Sequence, residues 1–231
     1  MTERLPRIAA SAAVAVATAI VLVALAIVPF LNPVWVSFEQ GRSEAAAWTG
    51  YTAEELRTAT DGILGDLLLW RGDFDVRIGG EAVLTATERA HMIDVRRVFA
   101  GFGIAAIVAA GALVFTRRRA TDRPAFWRSV RAGAVGLALG VVIVGVVSVV
   151  AFDAVFELFH RIFFSGGNYL FDPTTDRLVQ LFPYRFWVET SFTLGCVVLL
   201  LSAVTIVIAY RRLGGTPAAR AVRPVPIEVG R

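Results

Sequence analysis

Four apolar stretches dominate the chain and leave few folds open to it. Residues 8–28, 98–116, 132–152 and 190–210 run for 21, 19, 21 and 21 residues without a charge. A helix of about 20 residues crosses the hydrocarbon core of a bilayer. A large soluble protein can bury one such helix. A chain of 231 residues that is 56% hydrophobic and 18% charged has too little polar sequence to cover four. The sequence therefore predicts an all-α membrane protein with four transmembrane helices and a small extracytoplasmic cap. Residues 1–210 form a single membrane domain, and residues 211–231, rich in arginine, glycine and proline, form a disordered tail.

The arginines orient the bundle. All 23 basic residues are arginine, for a net charge of +4. The N-terminal tail, the link 117–131 and the tail after Tyr210 hold 13 arginines against three acids, a net of +10. Segments 29–97 and 153–189 carry −4 and −2. Arginine-rich flanks stay in the cytoplasm, so both termini are expected inside and the two acidic segments outside. The basic balance is then topology with anionic-lipid contact, and nucleic acid is not an expected partner. The rival for the first stretch is a cleaved signal peptide ending near Ala24-Leu25-Ala26, but its apolar run is longer than a signal core. The single Cys196 excludes an intramolecular disulfide and a cysteine-rich zinc site, and lies too deep in its span for a nucleophile.

Both outside segments carry local signals. Thr52 to Glu55 and Thr85 to Glu88 have capping-box spacing, and each opens a helix. Ile63, Leu64, Leu67 and Leu68 form an apolar stripe suited to the membrane surface or the bundle, and Phe74, Val76 and Ile78 alternate like a short strand. One helix is expected from Ala86 through the second span, carrying Glu88, His91 and Asp94 on one face. The third span continues as helix to about Phe164, where Gly166-Gly167 stops it. The short link places these two spans side by side, antiparallel. His91 and His160, the only histidines, then stand about 10–12 Å outside the apolar slab if both helices stay straight. The phenylalanines around His160 read as an interfacial aromatic belt. Gly136 and Gly140 read as close helix packing.

At these residues the chain resembles a known family. The run Glu88-Arg-Ala-His91-Met-Ile-Asp94-Val-Arg before a span is similar to the lipoprotein intramolecular transacylase family of bacterial membrane proteins. So is Phe159-His160-Arg-Ile-Phe-Phe164 with Asn168, Phe171-Asp172, Asp176 and Leu181-Phe-Pro183. Tyr169, where the family pattern has tryptophan, is a departure. The resemblance implies an acyltransferase of the bacterial cell membrane whose partners are a diacylglyceryl-modified lipoprotein and membrane lipids. It moves the sn-2 acyl chain to the α-amino group of the lipoprotein's own N-terminal cysteine. It also implicates two histidines, which fall on His91 and His160.

The residues suit that chemistry. An α-amine with a pKa of about 7.7–8.0 is largely protonated at neutral pH, and an imidazole near 6.5 is the natural base. Amine and ester sit on one lipid-modified cysteine, so holding them in register supplies much of the rate. One histidine serves as base and the other as donor or acid, in either order. Asp94, Glu157 or Glu88 would fix a ring tautomer, and Asn168 or the Gly166-Gly167 backbone would donate to an oxyanion. Asp172 and Asp176 read as turn and cap residues, Asp176 being retained as a supporting candidate. No cofactor and no metal is expected. The alternatives are a metalloenzyme built on the two Glu-x-x-His units at Glu88 and Glu157, a serine acyltransferase using Ser165, and a non-enzymatic membrane scaffold.

Overall fold

The computed structural model describes residues 4–164 and 166–214, the first three of them by backbone alone. Ser165 and residues 215–231 lie outside the described residues, and with them the serine alternative and most of the predicted tail. Four helices are long and apolar enough to cross a membrane: α1 (Arg4–Ile27), α5 (Ala86–Arg119), α6 (Arg123–Phe163) and α8 (Tyr184–Gly214). They contain the four charge-free runs except Val28, which falls in a 3-10 turn after α1, and α8 continues as helix four residues past the end of its run.

The order of packing differs from the expected one. Helix α1 packs against α5, α6 and α8, and α6 packs against α8, but α5 and α6 barely touch. The two spans joined by the short link are therefore separated by α1 instead of lying side by side. In lipid, apolar surface gains little from helix pairing, so the pairs that form are those whose backbones approach closely. Alanine-rich α1 allows this. A Cβ on Gly133 would collide with the carbonyl oxygen of Ala15, so α6 has no room there for any side chain. Gly136 and Gly140, the expected packing glycines, face open space.

Helix α5 starts at its Thr85–Glu88 capping box and runs unbroken from the cap through the membrane. Helix α6 does not stay straight. Ala151 has φ −144° and ψ 44°, so residues 152–163 form a bent arm beyond the span. Along one face of that arm Phe152, Phe156 and His160 follow at four-residue steps. Their rings lie 5.8 Å and 4.3 Å apart in succession.

The cap comprises α2 (Pro33–Arg42), α3 (Ala45–Thr49), α4 (Ala53–Leu69) and α7 (Arg177–Leu181). It also holds a hairpin of β1 (Arg77–Ile78) and β2 (Glu81–Ala82), turning through Gly79 and Gly80, both at positive φ. Asn32 caps α2 by accepting from the backbone of Val34 and Trp35, and Thr52 caps α4 in a complete capping box. Ile63, Phe74, Val83, Leu84 and Leu181 are almost fully buried in a common core, with Met92 of α5 packed among them. The α4 stripe at Ile63 and Leu67 thus faces the cap's own interior. The expected Phe74-Val76-Ile78 strand shrinks to two residues, because Phe74 takes a left-handed backbone with φ 61°.

Candidate active site

Helix α5 delivers His91 from below the cap, and the bent end of α6 delivers His160 to meet it. The two imidazoles lie 5.9 Å apart, with ring planes only 21° from parallel. Phe164 and Phe171 close round His91 at 4.8 and 5.5 Å, and Phe156, Phe159 and Tyr169 round His160 at 4.3, 5.4 and 5.1 Å. His91 is buried at 5% exposure and His160 is half-buried. The phenylalanines expected as an interfacial belt thus supply, in part, the wall of a cage around both rings. The four-residue spacing of Phe152, Phe156 and His160 was the legible signal for it.

The ring nitrogens differ in their partners. His160 Nδ1 lies 2.8 Å from the carbonyl oxygen of Phe156, one turn earlier. A carbonyl only accepts, so this contact places the proton on Nδ1 and leaves the Nε2 lone pair free. His91 Nδ1 is buried without a hydrogen-bond partner, and so is Oδ1 of Asn168. The Asn168 amide is oriented by its other end, where Nδ2 donates to Asp94 Oδ2 at 3.1 Å. Asp94 Oδ1 in turn accepts from Arg97 at 2.7 Å. A relay Arg97–Asp94–Asn168 therefore ends beside His91, with the amide oxygen as its free acceptor.

Both histidines stand outside the charge-free spans, and both hold protons weakly. Burial pushes His91 down to about 4, helped by repulsion from a proton on His160 and opposed by Asn168 and Asp94. Burial also lowers His160, opposed by the Phe156 carbonyl. Near neutral pH the cage holds two neutral imidazoles.

The other predicted residues are spread more widely. Glu88 is fully buried, and both its oxygens are used: one accepts from the Thr85 N–H at 2.7 Å, the other from the Leu178 N–H at 2.6 Å. It joins the start of α5 to the start of α7. Glu157 pairs with Arg161 on the exposed side of the arm. Asp176 accepts from the Asp172 N–H at 2.7 Å and organises the turn before α7. The carboxylates of the two Glu-x-x-His units thus point into separate structural contacts. Among the described residues no three of His, Cys, Asp and Glu gather as metal ligands.

The chain is similar to known proteins. The family model described as lipoprotein intramolecular transacylase Lit matches residues 12–187. No curated protein sequence matches the chain. Three solved structures of the membrane integral lipoprotein intramolecular transacylase Lit from Bacillus cereus are similar to it. The first is 17% identical with a TM-score of 0.73, covering 90% of this chain and 95% of that one. Two others are variants in which a histidine is replaced by arginine or by alanine. They are each 16% identical, with TM-scores of 0.71 and 0.70, and cover 92% of this chain and 94% and 96% of theirs. At that identity the likeness establishes the fold, and the family match, spanning most of the chain, establishes membership. The four-helix membrane protein carrying this histidine cage belongs to the lipoprotein intramolecular transacylase family, an acyltransferase family.

Proposed function

We propose that this chain moves the sn-2 acyl chain of a diacylglyceryl-modified lipoprotein to the α-amino group of the same protein's N-terminal cysteine. His160 acts as the base, and the site faces the outer leaflet of the bacterial cytoplasmic membrane. The meeting of the chain's only two histidines in an aromatic cage carries this reading.

The chemistry follows from the ring nitrogens. The amine nitrogen attacks the sn-2 ester carbonyl, a C–N bond forms, and an amine proton passes to Nε2 of His160. The tetrahedral intermediate then expels the glycerol oxygen, the C–O bond breaks, and His160 returns its proton to that oxygen. The products are an amide and a free sn-2 hydroxyl, and the enzyme ends in its starting protonation state. Neutral His91 presents its second nitrogen to the other amine N–H and so aims the amine lone pair. Asn168 Oδ1 and His91 Nδ1, both without a partner in the resting site, pair when substrate is bound, and the amide oxygen then keeps the ring in that tautomer. This role uses the amide oxygen, while one N–H of the Asn168 amide is donated to Asp94 and the other is left for the oxyanion role expected from sequence. The Gly166-Gly167 backbone remains a proposed oxyanion donor. The phenylalanine wall keeps water from the ester, which favours transfer over hydrolysis.

The test is mass spectrometry of a reporter lipoprotein's N-terminal peptide, made with and without this chain in a host lacking other N-acylation. An amide-linked acyl group on the cysteine with a monoacylglyceryl thioether is the expected product. A diacylglyceryl peptide with a free amine in both samples refutes the proposal.

A further inference from the structure

We infer that the corner formed by Leu68, Leu69 and Trp70 is a membrane-surface anchor of the cap, seated in the lipid interface on the histidine side of the bilayer. Elsewhere the cap exposes large apolar side chains singly, as at Val34, Phe38 and Trp48, whereas here three in a row stand 39%, 62% and 59% exposed. They are held there by structure. Trp70 takes a left-handed backbone with φ 54°, uncommon for a large side chain. The corner is fastened by Arg96, itself only 6% exposed. Its guanidinium lies 4.4 Å from the Trp70 ring centre and 5.2 Å from that of Phe74. It also donates to the Gly72 carbonyl at 2.6 Å and to Asp73 at 3.0 Å. The Asp66 carboxylate accepts from the Phe74 N–H at 2.7 Å. These contacts fix the corner from within, while Leu68, Leu69 and Trp70 stand outward beside the exposed charges of Arg71 and Asp73.

Depth decides the partner. Arg96 stands two residues before the charge-free run of α5, about 3 Å outside the apolar slab. Trp70, stacked on Arg96, therefore sits at headgroup level. Farther along the same helix, inside its charge-free run, α5 exposes Ile104, Ile107 and Val108, as a lipid-facing span would. Tryptophan is the side chain most suited to that level, with an apolar body and a polar N–H. The anchor ties the cap to a fixed height on the helix that carries His91.

The experiment uses the full chain in vesicles of phosphatidylcholine and phosphatidylglycerol, with Cys196→Ser as background. A nitroxide is attached at Leu69→Cys and, for reference, at Glu81→Cys on the hairpin. Power saturation should show the Leu69 label colliding more with oxygen than with a water-soluble nickel chelate, and the Glu81 label the reverse. Independently, Trp70→Phe should remove part of the tryptophan emission that is quenched by lipids brominated near the top of the acyl chain. A Leu69 label as open to nickel as Glu81 overturns the inference and gives the corner to a protein partner. So does lipid quenching unchanged in Trp70→Phe.

Discussion

Burial of two imidazoles in one cage, with His160 also repelling a proton on His91, sets the pH behaviour of the site. The unfolded chain binds a proton at His91 near 6.5, while the folded chain resists it down to about 4. Acidification through that window therefore favours the unfolded chain, and the loss is complete near the lower value. Thermal unfolding should show this fall, and His91→Gln should flatten it. Under the proposed mechanism activity needs neutral His160, whose proton affinity is also lowered, so the acid limb should lie below the ordinary imidazole range. The substrate amine adds a second rise toward about pH 8, visible in a rate–pH profile of reporter conversion. Replacing either histidine by alanine should cost about 100-fold or more in conversion at normal protein level. Both residues were legible because they are the only two of their kind and carry the family's spacing. The orientation of the Asn168 amide was not, since its two ends look alike until a carboxylate claims one of them.

At the scale of elements, the helix starts were open to reading and their mutual placement was not. Capping boxes work within four residues, and both predicted ones are present. Glu88 shows where local reading stops. Its first oxygen serves its own helix, but its second holds Leu178, ninety residues away. Glu88→Gln puts an amide donor against one of those N–H groups, and should cost about 1–3 kcal/mol in unfolding free energy. The α1–α6 contact allows a sharper comparison. Gly133→Ala should lower the melting temperature in detergent by overpacking, with a cost of about 1–3 kcal/mol. Gly136→Ala, facing open space, should leave it unchanged or raised. Equal effects at the two positions would remove the close contact at Ala15 as the reason these helices pair.

Across the whole molecule, the charge distribution makes a claim about orientation. With net +10 on one set of segments and −6 on the other, the proposed arrangement has both termini in the cytoplasm. Alkaline phosphatase inserted at the Gly79–Gly80 turn should be active in the periplasm or outside the cell. The same reporter on the C-terminus should be inactive, and the opposite pattern would invert the site. The four candidate spans and the two histidines were determined by the sequence itself. Hydrophobic run length, arginine bias and capping chemistry act on neighbouring residues and need no fold to be read. Only the tertiary structure decided that α1 stands between α5 and α6, that α6 bends at Ala151, and that phenylalanines close round the histidine pair. Those outcomes depend on which backbones approach closely and which buried groups find partners, and both are set by residues far apart in the chain.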